Sequence, residues 1–301
     1  MNWNARAFTL LSSPLFAFTL TTALVGCAST QAPSAADFAE EVEYHFARAE
    51  HAFDNKDYPR ARSLYQQIAK DFPYSQYASL SDLRVADAYY AEKVYSAAAE
   101  AYRAFVRLRP RHEKIPYAEF RVVDCFSRLM PRERFFAPPT HERDLTDALV
   151  AYREGRRYLV RYRDGEFTEQ TREIVQSVAD RLAAHELYVA AYYRRRDNFL
   201  GAMRRAQYVV ANFPESTRVA EAYWVQADNA FHAEEYQVVR DVLAQIANAY
   251  PDSSEMAKIE ALVGQIPAPS EPSDDGAATG AGTSDFGMGG ESGVPRLELS
   301  Q

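Results

Sequence analysis

Apolar and small residues recur along this chain at a fixed offset of 37 positions. Ala49, Tyr58, Ala61, Tyr65 and Pro73 are answered by Ala86, Tyr95, Ala98, Tyr102 and Pro110. Farther on, Ala190, Phe199, Ala202 and Pro214 are answered by Ala227, Tyr236, Val239 and Pro251. A period of this size marks a unit of two helices that cannot bury its apolar face alone and must stack on its neighbours. The small residue of the first helix and the Ala or Val near the start of the second let the two approach, and aromatic side chains fill the space around them. Asn55-Lys56-Asp57-Tyr58 supplies the turn between the helices of the first unit. Each terminal proline closes a second helix, because proline cannot continue one. Between the two pairs of units the spacing is irregular. Tyr117, Phe120, Val123 and Phe126 predict a helix over 115–130, a partner helix is expected over 145–162, and Pro131 to Asp144 forms a long insertion between them. Asp164-Gly165 stands where the other units carry proline, and a longer helix is expected over 168–196. The predicted fold is all-α, a solenoid of about five helical hairpins over residues 38–263.

The unit resembles the tetratricopeptide (TPR) repeat, lengthened by about three residues. That resemblance implies a superhelix whose first helices line a concave face, with ligand-facing side chains at fixed places in each unit. Those places hold Phe46, Glu50 and Phe53 in the first hairpin, Leu83, Asp87 and Tyr90 in the second, and Tyr117, Phe120 and Asp124 in the third. Aromatic rings interleaved with carboxylates suit an extended peptide, whose unpaired backbone N–H groups the carboxylates would accept.

The two ends of the chain have a different character. Residues 1–26 read as an export leader: one charge, Arg6, then an apolar stretch from Ala7 to Leu24 that Pro14 and several Ser and Thr interrupt too often for a comfortable membrane span. Leu24-Val25-Gly26-Cys27 at its end matches the bacterial lipobox, in which a small residue before the cysteine permits cleavage and the thiol receives a diacylglycerol. Cys27 is therefore expected to carry that lipid and an N-acyl chain such as palmitate. Several chains hold a membrane far more firmly than one. Ala28 in place of an acidic residue is compatible with the outer membrane. Residues 27–37 form a polar tether, and residues 264–301 a tail that holds eight of the twelve glycines and is expected to be disordered.

Charge changes the picture of the middle. Residues 103–210 carry 22 basic against 15 acidic side chains, net +7, whereas 27–102, 211–263 and 264–301 are net −5, −6 and −5. Arginine outnumbers lysine 29 to 5, which favours bidentate pairing with carboxylates. Arg194, Arg195, Arg196, Arg204 and Arg205 fall close together at one hairpin turn and are candidate partner-binding residues. Nucleic acid is a poor ligand for an exported chain with net charge −8.

Candidate chemistry is sparse. The six histidines form no metal-spaced pair, and no Walker loop or GxSxG elbow occurs. Cys125, beside Val122, Val123 and Phe126 on a predicted helix, reads as a buried thiol. No enzyme activity, metal or dissociable cofactor is expected.

A lipobox, slightly long TPR-like hairpins, an insertion bearing Phe135-Phe136 and then Glu142-Arg143-Asp144, and the run Tyr188-Val189-Ala190-Ala191-Tyr192-Tyr193 together resemble the BamD family of outer-membrane assembly lipoproteins, also called YfiO or ComL. The similarity runs over about residues 38–254; the glycine-rich tail and the missing proline of the third unit depart from it. The resemblance implies a periplasm-facing lipoprotein that docks on the barrel subunit BamA and handles unfolded outer-membrane proteins. Arg205 aligns with an arginine that the resemblance places at the BamA interface. The alternative is a TPR lipoprotein adaptor for pilus secretin assembly or cell-division envelope coordination.

Overall fold

The computed structural model describes residues 35–131 and 144–267. The leader with Cys27, most of the tether, the insertion over 132–143 with Phe135-Phe136, and the tail from residue 268 lie outside the described residues. Among the described residues there are eleven α-helices and no strand: α1 (Ala35–Asp54), α2 (Tyr58–Asp71), α3 (Gln76–Ala91), α4 (Tyr95–Leu108), α5 (Ile115–Leu129), α6 (Thr146–Arg161), α7 (Thr168–Arg194), α8 (Phe199–Asn212), α9 (Val219–His232), α10 (Tyr236–Ala249) and α11 (Ser254–Val263). Each helix packs on the next in sequence, so the chain is the expected TPR-like stack of hairpins. α1 begins three residues before the predicted Phe38, as the good helix formers Ala35 and Ala36 allow. α11 is an added helix that closes the array on α9 and α10, with Ile259 fully buried.

The 37-residue period survives down to single dihedral angles. Lys56 and Lys93, one period apart, and Asp197 and Glu234, also one period apart, are the described non-glycine residues at positive φ, between 56° and 67°. Each ends the first helix of a hairpin. In the second hairpin the Val94 N–H donates to the Tyr89 carbonyl (3.0 Å) and the Lys93 N–H to the Tyr90 carbonyl (2.9 Å). This is the Schellman arrangement, in which a left-handed residue lets the chain satisfy carbonyls that the helix end leaves open. Second helices stop at Phe72, Arg109, Phe213 and Tyr250, all outside α geometry at φ near −125° to −140° and ψ near 53° to 58°, because the proline that follows disfavours α geometry at the residue before it. In the third hairpin Tyr162 takes nearly the same conformation (φ −122°) with no proline after it. There the Thr168 hydroxyl donates to the Tyr162 carbonyl (2.7 Å) and accepts from the Gly165 N–H (2.9 Å), so a side-chain stitch replaces the ring.

The small residues act as the pattern predicts. Ala49, Ala86, Ala190 and Ala227 on first helices, and Ala61, Ala98, Ala202 and Val239 on second helices, have no solvent exposure. Gly155 takes this further: a Cβ there would sit 2.4 Å from Val175 Cγ2, so glycine is what allows α6 to lie against α7. Neighbouring first helices also meet, α1 with α3, α5 with α7 and α7 with α9, whereas second helices of successive hairpins make no comparable contact among the described residues. First helices therefore lie on the inner side of the stack.

Candidate functional site

Along that inner side, Glu50, Asp87 and Asp124 occupy the same place in three successive hairpins. Each is held by side chains of its own hairpin and its neighbours. The Tyr65 hydroxyl on α2 donates to Glu50 Oε1 (2.5 Å), and Arg84 on α3 donates to it through Nε (2.9 Å) and to Oε2 through Nη2. The Tyr102 and Tyr117 hydroxyls both donate to Asp87 Oδ1 (2.6 and 2.8 Å). Asp124 accepts from the Tyr90 hydroxyl (2.5 Å), from Arg121 (3.3 Å) and from Arg128 (2.9 Å). Arg84 also lies over the Phe53 ring at 5.0 Å and Arg121 over Tyr90 at 4.2 Å. Carboxylate, tyrosine, arginine and ring thus form a ladder that joins hairpin to hairpin.

The electrostatics follow from this packing. Burial, and then the neighbouring carboxylates, push the Tyr65, Tyr90, Tyr102 and Tyr117 hydroxyls well above the ordinary phenol range. Burial alone would lower Arg84, yet its hydrogen bond and charge contact with Glu50 outweigh that and hold the guanidinium charged.

Tyrosines and arginines already engage Glu50, Asp87 and Asp124, so these carboxylates could offer an extended peptide only the acceptor capacity that the ladder leaves. Leu83 is buried in the core formed by α3, α4 and α5. Phe120 is buried too and stacks on Phe167 at 4.7 Å between centroids. Phe46, packed between Tyr65 and Tyr77, and Phe53, Tyr90 and Tyr117 are half-buried. Arg84 and Arg121 complete the ladder and were missed as site residues, although they too stand 37 positions apart.

The arginine cluster divides in a similar way. Arg194 pairs with Asp228 on α9, and Arg205 pairs with Glu186 on α7 (3.1 Å) and lies over Tyr193 at 6.0 Å. Arg195 and Arg204 are exposed and make no ion pair among the described residues. Arg196 lies over the Tyr192 ring at 3.7 Å. Tyr188, Tyr192 and Leu200 expose 40%, 43% and 43% of their surface beside these arginines, which makes a mixed cationic and apolar patch at the α7–α8 turn. Aromatic and arginine side chains are the types that dominate binding energy at protein interfaces.

Cys125 is fully buried, and burial with the adjacent Asp124 pushes its thiol up to about 12. No described helix is long and apolar enough to cross a membrane, and no described group of three His, Cys, Asp or Glu side chains could hold a metal ion.

A stack of helical hairpins with an inner ladder and an exposed arginine patch is a solenoid of the TPR-like kind. Residues 39–237, from α1 to the start of α10, match the model of YfiO, described as outer membrane lipoprotein, and the chain belongs to that family. Curated relatives bear the name outer membrane protein assembly factor BamD. That of Neisseria meningitidis serogroup A is 27% identical over 183 residues, 60% of this chain and 68% of the relative. That of Xylella fastidiosa strain 9a5c is 24% identical over 209 residues, 69% and 70% of the two chains. That of Vibrio cholerae is 22% identical over 187 residues, 61% and 77%.

Proposed function

We propose that this chain is the lipid-anchored, periplasm-facing subunit of an outer-membrane β-barrel assembly machine, in which it scaffolds a BamA-like barrel subunit and engages segments of unfolded barrel clients. The observation that carries the reading is the family match over 39–237, which takes in the first four hairpins and α9. The names of the curated relatives support a role in outer membrane protein assembly. Cys27 at the end of the apolar leader supplies the anchor. For the barrel subunit, Arg195, Arg204, Tyr192 and Leu200 offer an exposed patch that suits an acidic surface with apolar residues. For clients, the half-exposed rings of Phe46, Phe53, Tyr90 and Tyr117 suit the alternate apolar side chains of a barrel strand.

The test is isolation of the lipidated chain from detergent-solubilised outer membranes. A large β-barrel protein with periplasmic domains is expected to come with it. Recovery of a pilus secretin or a cell-division complex in its place would overturn the assignment. In the same preparation Cys27→Ala is expected to leave the precursor uncleaved at this site or to release the chain into the periplasm.

A further inference from the structure

The first three hairpins finish on one edge of the stack. There the ends of α2, α4 and α6, with the turns that follow them, lie beside the starts of first helices. The Phe38 ring near the start of α1 meets Phe72 after α2 at 5.3 Å. Arg109 after α4 donates to Asp82 in the first half of α3 (3.0 Å), and Arg161 at the end of α6 pairs with Glu119 near the start of α5 (2.5 Å). The α8–α9 turn is set back from this edge, since the Asn212 carbonyl accepts from the Tyr152 hydroxyl in the middle of α6 (2.8 Å). Among the described residues the three most exposed large apolar or aromatic side chains all stand here: Tyr74 at 100%, Val160 at 69% and Leu108 at 68%. Basic side chains flank each of them, with Lys70 four residues before Tyr74, Arg107 and Arg109 on either side of Leu108, and Arg161 and Arg163 just after Val160. Residues 107–114 hold four basic side chains against the one carboxylate of Glu113. Arg107 and Arg111 are exposed and pair with no carboxylate among the described residues. Asp71, Asp164 and Glu166 offset the charge at the other two turns, so the α4–α5 turn is where this edge draws an anion.

What covers this edge follows from where the chain is tied. Cys27 is eight residues before Ala35, the first residue of α1, and eight residues span at most about 28 Å. α1 starts on this same edge, so a lipid on Cys27 keeps the edge within that distance of the bilayer. The tether makes contact with the surface an intramolecular event, at an effective concentration on the order of millimolar, so a few side chains suffice to hold it. Exposed aromatic and aliphatic side chains between arginines and lysines are what the membrane interface accepts, the apolar groups at the acyl boundary and the cations at the phosphates. We propose that the edge formed by the α2–α3, α4–α5 and α6–α7 turns rests on the anionic phospholipid surface in which Cys27 is anchored. Tyr74, Leu108 and Val160 enter the headgroup region, and Arg107 and Arg111 meet lipid phosphates. The first helices then stand with their starts toward the bilayer, and the α7–α8 turn, at the far end of α7, points away from it. This inference rests on the lipid anchor of the proposed function and is independent of the barrel partner.

The test places an indole on the edge of the lipidated chain, reconstituted in vesicles of phosphatidylethanolamine and phosphatidylglycerol whose acyl chains carry bromine. Flotation with the vesicles reads the anchor, and bromine quenching of the added indole reads the edge. Leu108→Trp and Val160→Trp are expected to show blue-shifted emission and quenching beyond that of the parent, whose Trp224 lies half-buried on α9. Val94→Trp, at the opposite edge between α3 and α4, is expected to show neither. Adding Arg107→Gln with Arg111→Gln to Leu108→Trp should lower the docked-to-undocked ratio on the order of thirtyfold, about fivefold for each charge near an anionic leaflet. Vesicles of phosphatidylcholine alone should weaken the quenching in the same way. Flotation without quenching at Leu108→Trp and Val160→Trp would overturn the proposal and leave the anchor standing. Failure to float would overturn the anchor, and the proposal with it. Quenching that survives the double arginine change undiminished would also overturn it. Burial of the indole only on addition of the barrel subunit would give this edge to a protein partner and overturn it as well.

Discussion

At the scale of single residues, the inner ladder shows that a carboxylate at a ligand-facing position can serve the repeat itself. Arg84 makes two hydrogen bonds to Glu50, touches Asp87 at 3.4 Å and covers Phe53, so one side chain links two hairpins. Its removal leaves Glu50 with Tyr65 alone in a half-buried place. Because the Arg84 and Glu50 side chains stay 34% and 25% exposed, water recovers part of the loss, and Arg84→Ala should cost about 1–2 kcal/mol. Arg84→Lys should recover little, since lysine has neither the fork nor the planar face that stacks. Denaturant unfolding checks both, with exposed Arg60→Ala within about 0.5 kcal/mol of the parent as control. The ladder also sets the response to alkali. Tyr65, Tyr90, Tyr102, Tyr117 and Cys125 all have pKa values raised by folding. Such groups stabilise fully below their unfolded pKa values, about 8.5 for cysteine and 10 for tyrosine, and that contribution is lost as pH rises toward the folded values. The melting temperature should fall progressively above about pH 9, and phenolate absorbance should grow with unfolding. Full phenolate absorbance in a chain still helical by circular dichroism would refute this.

At the scale of elements, the hairpins were legible because their rules are local and repeated. The small–aromatic–proline pattern located the helices to within a few residues, and α7 ends at Arg194 where the pattern allowed Arg196. What stayed hidden was the partner of each polar group. The spacing placed Glu50, Asp87 and Asp124 on one face but could not say that Tyr65, Tyr102 and Arg84 reach them, because those contacts run between helices; Arg121 reaches Asp124 within α5, three positions on. Arg194 and Arg205 were legible as a cluster for the same reason, while their pairing with Asp228 and Glu186 needed the packing of three helices. The turns hold one more lesson. Lys56, Lys93, Asp197 and Glu234 occupy a left-handed position that glycine fills at less cost. Lys93 is exposed and its backbone N–H carries the turn, so Lys93→Gly should keep the hydrogen bonds and remove the strain of a Cβ at φ 67°. Gain from relief should exceed the added freedom of the unfolded chain by about 0.5–1 kcal/mol. A lower melting temperature for Lys93→Gly would mean that its side chain holds something the backbone does not.

At the scale of the whole molecule, charge divides the work between surfaces. The first two hairpins and the last are acidic, and several arginines of the basic middle, among them Arg103, Arg109, Arg194 and Arg205, hold carboxylates of other helices. Arg195 and Arg204 at the α7–α8 turn are exposed and pair with no carboxylate among the described residues, so a partner can meet them without breaking the fold. Arg205 behaves differently, because its guanidinium already holds Glu186 at 3.1 Å. Reversing it therefore sets two carboxylates against each other inside the scaffold. Three variants separate docking from folding. Arg195→Glu and Arg204→Glu should leave the melting temperature within about 1 °C, as surface changes usually do, yet weaken association with a BamA-like subunit about tenfold each, close to 1.4 kcal/mol. Most of that loss should appear in the association rate and fade with added salt, as for charges at an interface rim. Arg205→Glu should lower both the melting temperature and the affinity, and Glu186→Gln should ease its folding defect without restoring binding. Surface plasmon resonance of the lipidated chain over the immobilised barrel subunit, at two salt concentrations, reads all four. Equal association rates for the parent, Arg195→Glu and Arg204→Glu would mean that the exposed arginines are a solvated face and that the partner docks elsewhere on the stack.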